Sequence, residues 1–147
     1  IGSLHAGTTS LLVHRFFAAV GDAAIVMSQS TLTLGRYSAP QPDLMLLPPR
    51  DDHYRRANPT TDEVLLLVEV SDRTWPYDRT IKAPLYAMHG IREMWIVGLR
   101  QKELLCLRQP RNGEYTEVET IKVPGLVPLP VLGEVQVDLS GLFDYSN

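Results

Sequence analysis

The apolar positions of the chain follow two kinds of rhythm. In SLHAGTTSLLVHRFFAAVG, Leu4, Leu11, Leu12, Phe16 and Ala19 recur at mostly helical spacing and Gly21 offers a stop. This predicts one amphipathic helix from about Leu4 to Val20. The runs that follow are shorter and closed by turn residues. AAIVMS and QPDLMLLPP each predict a strand, the second with Pro at both ends. EVLLLVEVS is the strongest strand signal, because its Leu and Val lack polar alternation, as in a strand buried on both faces. DRTIKAPLYAMHG predicts a helix with Asp78 as N-cap and Gly90 as stop, loosened in its first turns by Pro84, which has no N–H. EMWIVGL predicts another apolar strand. KELLCLRQPRNGEYTEVETI predicts two strands around the Asn112-Gly113 turn, and VQVDLSGLF a last short one. Between them RDDHYRRANPTTD reads as a polar loop, of a length that is often functional or mobile. Helix, strands, helix, strands, without a repeat or linker, predicts one α/β domain over residues 1–147 with a mixed central sheet flanked by helices and an added β-hairpin.

Composition narrows this only a little. A 44% hydrophobic and 21% charged chain is an ordinary globular one, and no apolar run reaches the ~20 residues that span a bilayer. The lone Cys106 rules out an intrachain disulfide and, inside KELLCLRQ, reads as a small buried residue. A cytoplasmic protein without membrane association is the plain expectation. The net charge of −3 argues against a permanently basic nucleic-acid coat. It leaves room for a local basic groove, or for a site where a metal ion offsets acids.

One residue does not fit its surroundings. Glu69 stands inside the apolar run of the strongest strand, where an ionised carboxylate is costly unless something pairs with it or binds it. A second acid, Asp43, follows Pro42 at the start of another strand, 26 positions earlier. On neighbouring strands the two carboxylates would reach one edge of the sheet. They would then suit Mg²⁺, which takes one or two carboxylates and keeps several waters, with the Val70 carbonyl as a third ligand. The alternative is that Asp43 caps a turn and Glu69 pairs with an Arg.

QPDLMLL, VLLLVEVSDRTWPYDRTIKAPLYAMHGIREMWIVGL, the GEY hairpin and the closing VDLSGLF resemble the Uma-two family of endonucleases, in the PD-(D/E)XK, restriction-endonuclease-like superfamily. The likeness runs from Pro42 onward. It implies a restriction-endonuclease-like fold, with Asp43 and Glu69 as the two acids of the motif. The usual lysine two residues after the second acid is replaced by Ser71, and the resemblance assigns its role to Lys82 on the following helix. Gly98 stands where the family often has Asp, which reads as a change of turn. The family's N-terminal segment, with a conserved Glu, would lie upstream of residue 1. His5 falls where the family has a His on its first helix.

The resemblance therefore implies a Mg²⁺-dependent endonuclease, with Mn²⁺ as the other candidate ion and DNA as substrate. The rivals are a catalytically silent nuclease-fold protein that binds nucleic acid or a protein partner, and an oligomeric interaction module. His5, Tyr86 and Arg79 are further candidates for the cleft: Tyr86 follows Lys82 by four residues on one helix face. Trp95 reads as core and Trp75 as a loop residue. The hairpin edge and the apolar tail VPGLVPLPVLG point to a homodimer. Lys82, near the start of a helix capped by Asp78, gains nothing from the helix dipole. Its ammonium is expected to point at Asp43 and Glu69, and Lys82→Ala to leave folding nearly intact.

Overall fold

A computed structural model describes residues 2–146. Helix α1 (Ser3–Val20) leads into six strands, β1 (Ile25–Ser28), β2 (Leu44–Leu47), β3 (Leu66–Ser71), β4 (Glu93–Gly98), β5 (Glu103–Arg111) and β6 (Glu114–Ile121). They form one sheet in sequence order. All its pairings are antiparallel except β3 with β4, which are parallel and joined by a helical run over residues 75–88, called here the second helix. A parallel pair needs such a crossover, and the crossover puts a helix on one face of the sheet. With α1 on the other face, β3 and β4 are buried on both sides, and every residue of either is buried. That accounts for their unbroken apolar runs.

The strand alternation sorts the core into two layers. Leu66, Val68 and Val70 of β3, with Trp95 and Val97 of β4, pack with Leu12, Phe16 and Val20 of α1. Leu67, Met94 and Ile96 pack on the opposite face with Ala83, Tyr86 and Ala87 of the second helix. Glu69 and Ser71 share the parity of Leu67, so they too face the second helix. The inward stripe of α1 differs from the expected one: Leu4 is exposed, while Thr8 and Thr9 are buried beside Leu12, Phe16 and Val20. The hairpin turns through Asn112 and Gly113, both at positive φ (56° and 79°), which matches the right-handed strand twist.

Four expectations need correction. The apolar tail is spare surface only in part: Val123 and Leu126 are exposed, and Val127 and Leu129 turn inward. It forms β7 (Leu126–Pro128) and β8 (Gln136–Asp138), a two-stranded sheet whose Val127 and Val137 join the α1 layer of the core with Leu129, Leu139 and Leu142. Arg15 of α1 locks this piece in place, donating to the carbonyls of Asp138 (2.6 Å) and Ser140 (3.2 Å). The 50–62 loop is packed by its own side chains. Arg50 donates to Asp52 (2.6 Å), Glu63 (3.2 Å) and the Ala57 carbonyl (2.9 Å), and lies over the ring of buried Tyr54 at 3.8 Å. Trp75 is no loop residue but starts the second helix, and Gly98 is no change of turn. A Cβ at Gly98 would stand 2.9 Å from Trp75 Cε3 and closer still to Cζ3, so the missing side chain is what lets the indole lie on β4. Among the described residues no helix is long and apolar enough to cross a membrane.

Candidate functional site

Register brings the two acids together. Leu44 of β2 pairs with Val68 of β3, so Asp43, one residue before β2, comes opposite Glu69. The pair is cross-tied. Asp43 N–H donates to Glu69 Oε1 (3.2 Å), and Val70 N–H donates to Asp43 Oδ2 (2.7 Å). The N–H and C=O of one strand residue point to the same side. The Val70 carbonyl is therefore also turned toward Asp43, past the end of β2.

Each carboxylate keeps one oxygen outside this tie. Glu69 Oε2 accepts from Lys82 Nζ (2.8 Å) and from the Tyr86 hydroxyl (3.2 Å), and Asp43 Oδ1 lies 3.4 Å from His5 Nε2. Glu69 is 3% exposed, and burial pushes its pKa above the usual carboxylate range, against the pull of Lys82. Burial works against the Lys82 ammonium as well, but the facing Glu69 carboxylate outweighs it and the lysine pKa is raised. Tyr86 is buried under Glu69 and strongly held as the neutral phenol, first by burial and then by the neighbouring carboxylate. Glu69 thus pairs with a lysine, not with the Arg that the alternative reading supplied.

The second helix delivers Lys82 by a route the local pattern hid. It begins at Trp75, with Pro76 in its first turn where a missing N–H costs nothing, and passes through a wide π turn, Asp78–Lys82, before Ala83–Met88. Pro84 has no N–H to offer the residue four before it, and the wider turn relieves the clash its ring would make there. Asp78 is consequently not the N-cap. It is 2% exposed, accepts from Thr74 Oγ1 (2.8 Å) and lies 3.8 Å from Lys82 Nζ. Its spacing of four from Lys82 was the available signal for this contact. Lys82 sits mid-helix, so the dipole argument does not apply to it, although its ammonium does point at the acids.

These groups open on a cavity of about 480 Å³, lined by His5, Asp43, Glu69, Val70, Asp78 and Lys82, and rimmed by Gln41 and Arg73. Arg79 is elsewhere. It is exposed, lies 5.5 Å from the Trp75 ring and lines a separate groove with Tyr115 and Val118 of the hairpin. It is therefore not a cleft residue: it opens on the hairpin side and does not line the cavity that holds Lys82. Among the described residues no group of three His, Cys, Asp or Glu side chains is arranged to hold a metal ion. Of the four carboxylates that line the cavity, Asp72 and Asp78 among them, Asp43 and Glu69 stand tied together beside one backbone carbonyl, a set that suits a hard cation retaining water.

Residues 2–140 match the model of the Uma2 family, described as "Putative restriction endonuclease". The chain belongs to the Uma2 family. A crystal structure of "a putative nuclease belonging to DUF820 from Anabaena variabilis ATCC 29413" is similar over 98% of this chain and 82% of its own length, with a TM-score of 0.72 and 18% identity. At that identity the likeness establishes the fold, which is restriction-endonuclease-like. No curated protein matches the chain. All of the Uma2 chain's Asp43, Glu69 and Lys82 fall inside the matched span.

Proposed function

We propose that this Uma2 protein is a Mg²⁺-dependent endonuclease acting on DNA, with Mn²⁺ able to replace Mg²⁺. Asp43, Glu69 and the Val70 carbonyl are its metal ligands and Lys82 its catalytic cation. One observation carries the reading. A carboxylate ahead of β2, a carboxylate within β3 and an ammonium from the second helix converge on one open cavity. The bound ion would supply positive charge to a phosphate oxygen and a lower pKa for water. The chain does the rest. The cross-tie between Asp43 and Val70 fixes the Asp43 carboxylate before any ligand arrives, so little reorganisation remains at the moment of reaction. Lys82, one-third exposed at the cavity, is placed to orient the attacking water or to meet the charge that develops on the phosphate.

A second reading is a nuclease-fold protein that binds nucleic acid or a protein partner without cutting. It is favoured by the Lys82–Glu69 contact, which already compensates the buried acid. Incubation with supercoiled plasmid and with circular single-stranded DNA, in Mg²⁺, Mn²⁺ or EDTA, separates the two. Metal-dependent nicking of circles that is lost in Glu69→Gln supports the endonuclease. Retention of DNA without nicking at any metal concentration supports the silent protein and removes the enzyme.

The same reading includes a cytoplasmic homodimer, since two sites are needed to cut both strands of a duplex at once. With Val127 and Leu129 of the tail folded inward, the surface that supports it is the edge strand β6 with its exposed Val118, and the tail's exposed Val123 and Leu126. A monomer in sedimentation at micromolar concentration would remove it.

A further inference from the structure

Asp78 is as buried as Glu69, yet neither the fold nor the reaction described above employs its charge. Its two oxygens have separate partners. Oδ2 accepts from the Thr74 hydroxyl at 2.8 Å, and Oδ1 stands 3.8 Å from Lys82 Nζ. The Thr74 hydroxyl is in turn 3.4 Å from Ser71 Oγ at the end of β3. The lysine therefore lies between two buried carboxylates, in hydrogen-bond contact with one and just short of it with the other. A cation at Asp43 and Glu69 would compete for the Glu69 oxygen that now accepts from Lys82, and would repel the ammonium. Nothing but solvent would then hold the lysine, unless a second carboxylate stood within a small side-chain movement. Asp78 stands there, and Thr74 fixes its orientation.

We propose that Asp78 is a positioning residue for Lys82: it keeps the ammonium at the cavity when the charge of Glu69 is engaged elsewhere. The catalytic consequence rests on the nuclease reading; the holding of the lysine does not, and can be measured without metal. The readout is the protection of the Lys82 ammonium from exchange with water, followed by ¹H–¹⁵N NMR and assigned with Lys82→Arg. Glu69→Gln removes the nearer charge. Metal-free Glu69→Gln is expected to keep a protected Lys82 signal, and Glu69→Gln combined with Asp78→Asn to lose it. Thr74→Ser should retain the signal in the Glu69→Gln background and Thr74→Val should weaken it. Loss of protection in Glu69→Gln alone, or its survival in the double variant, would overturn the proposal. In catalysis, Asp78→Asn should lower kcat about ten- to a hundred-fold with KM and metal affinity nearly unchanged. A fall in Mg²⁺ affinity of the same size would make Asp78 a ligand and overturn the positioning role. A wild-type protein that never cuts would defeat the nuclease reading, while the metal-free arm still decides what holds Lys82.

Discussion

Lys82→Ala tests the heart of the site in both stability and activity. Among the described residues Lys82 is the only salt-bridge partner of Glu69, whose side chain is 4% exposed. Deleting one partner of a fully buried pair costs about 3–5 kcal/mol, because the other charge is left uncompensated. The lysine is one-third exposed, so water shares in the screening, which brings the expected loss down to about 1–3 kcal/mol. This replaces the expectation from sequence that the variant would fold nearly as well as the parent. The loss should depend on pH with a definite sign. Burial already holds the folded pKa of Glu69 above its ordinary 4.5, and losing Lys82 raises it further. A carboxyl with a raised folded pKa binds more protons folded than unfolded, so stability falls as pH rises from 4.5 through the folded pKa and then levels. The lysine's own contribution, with its pKa raised, is present below 10.5 and lost as pH climbs through the folded value. Parent and variant should thus differ little near pH 4, increasingly as pH climbs past the folded pKa of Glu69, and converge again in strong alkali.

Urea unfolding followed by tryptophan fluorescence at acid and neutral pH measures this. In a Glu69→Gln background the same substitution should cost less than in the parent, since Asp78 alone is then left without its cation. Equal losses at both pH values, or no coupling in the cycle, would refute the claim that Lys82 compensates Glu69. At matched folded fraction, cleavage should fall by about two to three orders of magnitude if Lys82 stabilises the transition state. Unchanged cleavage would leave only the two acids in the site.

Gly98→Ala should destabilise by about 1–3 kcal/mol in thermal or urea unfolding, because its Cβ would meet the Trp75 indole on one side and Gln101 Oε1 at 3.0 Å on the other. Trp75→Ala in the same chain should recover part of that loss. The Arg50 guanidinium holds the Asp52 carboxyl at about 2, below the ordinary 3.8, so this pair's contribution is present above pH 3.8 and lost as pH falls through 2. Arg50→Ala should return the Asp52 titration, followed by NMR, toward 3.8, and should speed proteolysis within residues 50–60; an unmoved titration would assign the shift to the backbone N–H donors instead. Burial pushes the Cys106 thiol up to about 12, so iodoacetamide at pH 8 should modify it only in urea, as read by mass spectrometry. Rapid modification of the native protein would contradict its place in the core.

The parts legible in the sequence were those set by strong, local patterns. The run of β3 betrayed double burial, that of β4 an apolar strand, Asn112-Gly113 fixed the hairpin, and a single acid within an apolar strand marked Glu69 as a residue needing a partner. The partner's identity was not local. Lys82 reaches Glu69 because a crossover helix returns over the sheet, and only the family resemblance pointed to it. The start of that helix was misread for a physical reason. An Asp ahead of an apolar run is a good cap signal, but here Thr74 and Pro76 begin the helix a turn earlier and Asp78 turns inward. The π turn left no signature apart from Pro84. The tail misled in the other direction, since a Pro-rich apolar stretch looks the same whether it faces solvent or, like Val127 and Leu129, lies against α1.

The absence of a lysine at Ser71 follows from the same packing. Ser71 is fully buried, faces the second helix, and pairs in register with Gly98, over which Trp75 lies. A lysine there would have to thread between the strand and the helix start that covers it, where the Ser71 and Thr74 hydroxyls already stand 3.4 Å apart. The cation comes instead from the covering helix, where Lys82 at the end of the π turn reaches Glu69. This changes what controls the site. A strand-borne lysine would move with the acids; Lys82 moves with a helix docked through Ala83, Tyr86 and Ala87. Any substitution that loosens that docking should separate the ammonium from Glu69 while leaving the Asp43–Glu69 tie, which is made between strands, in place.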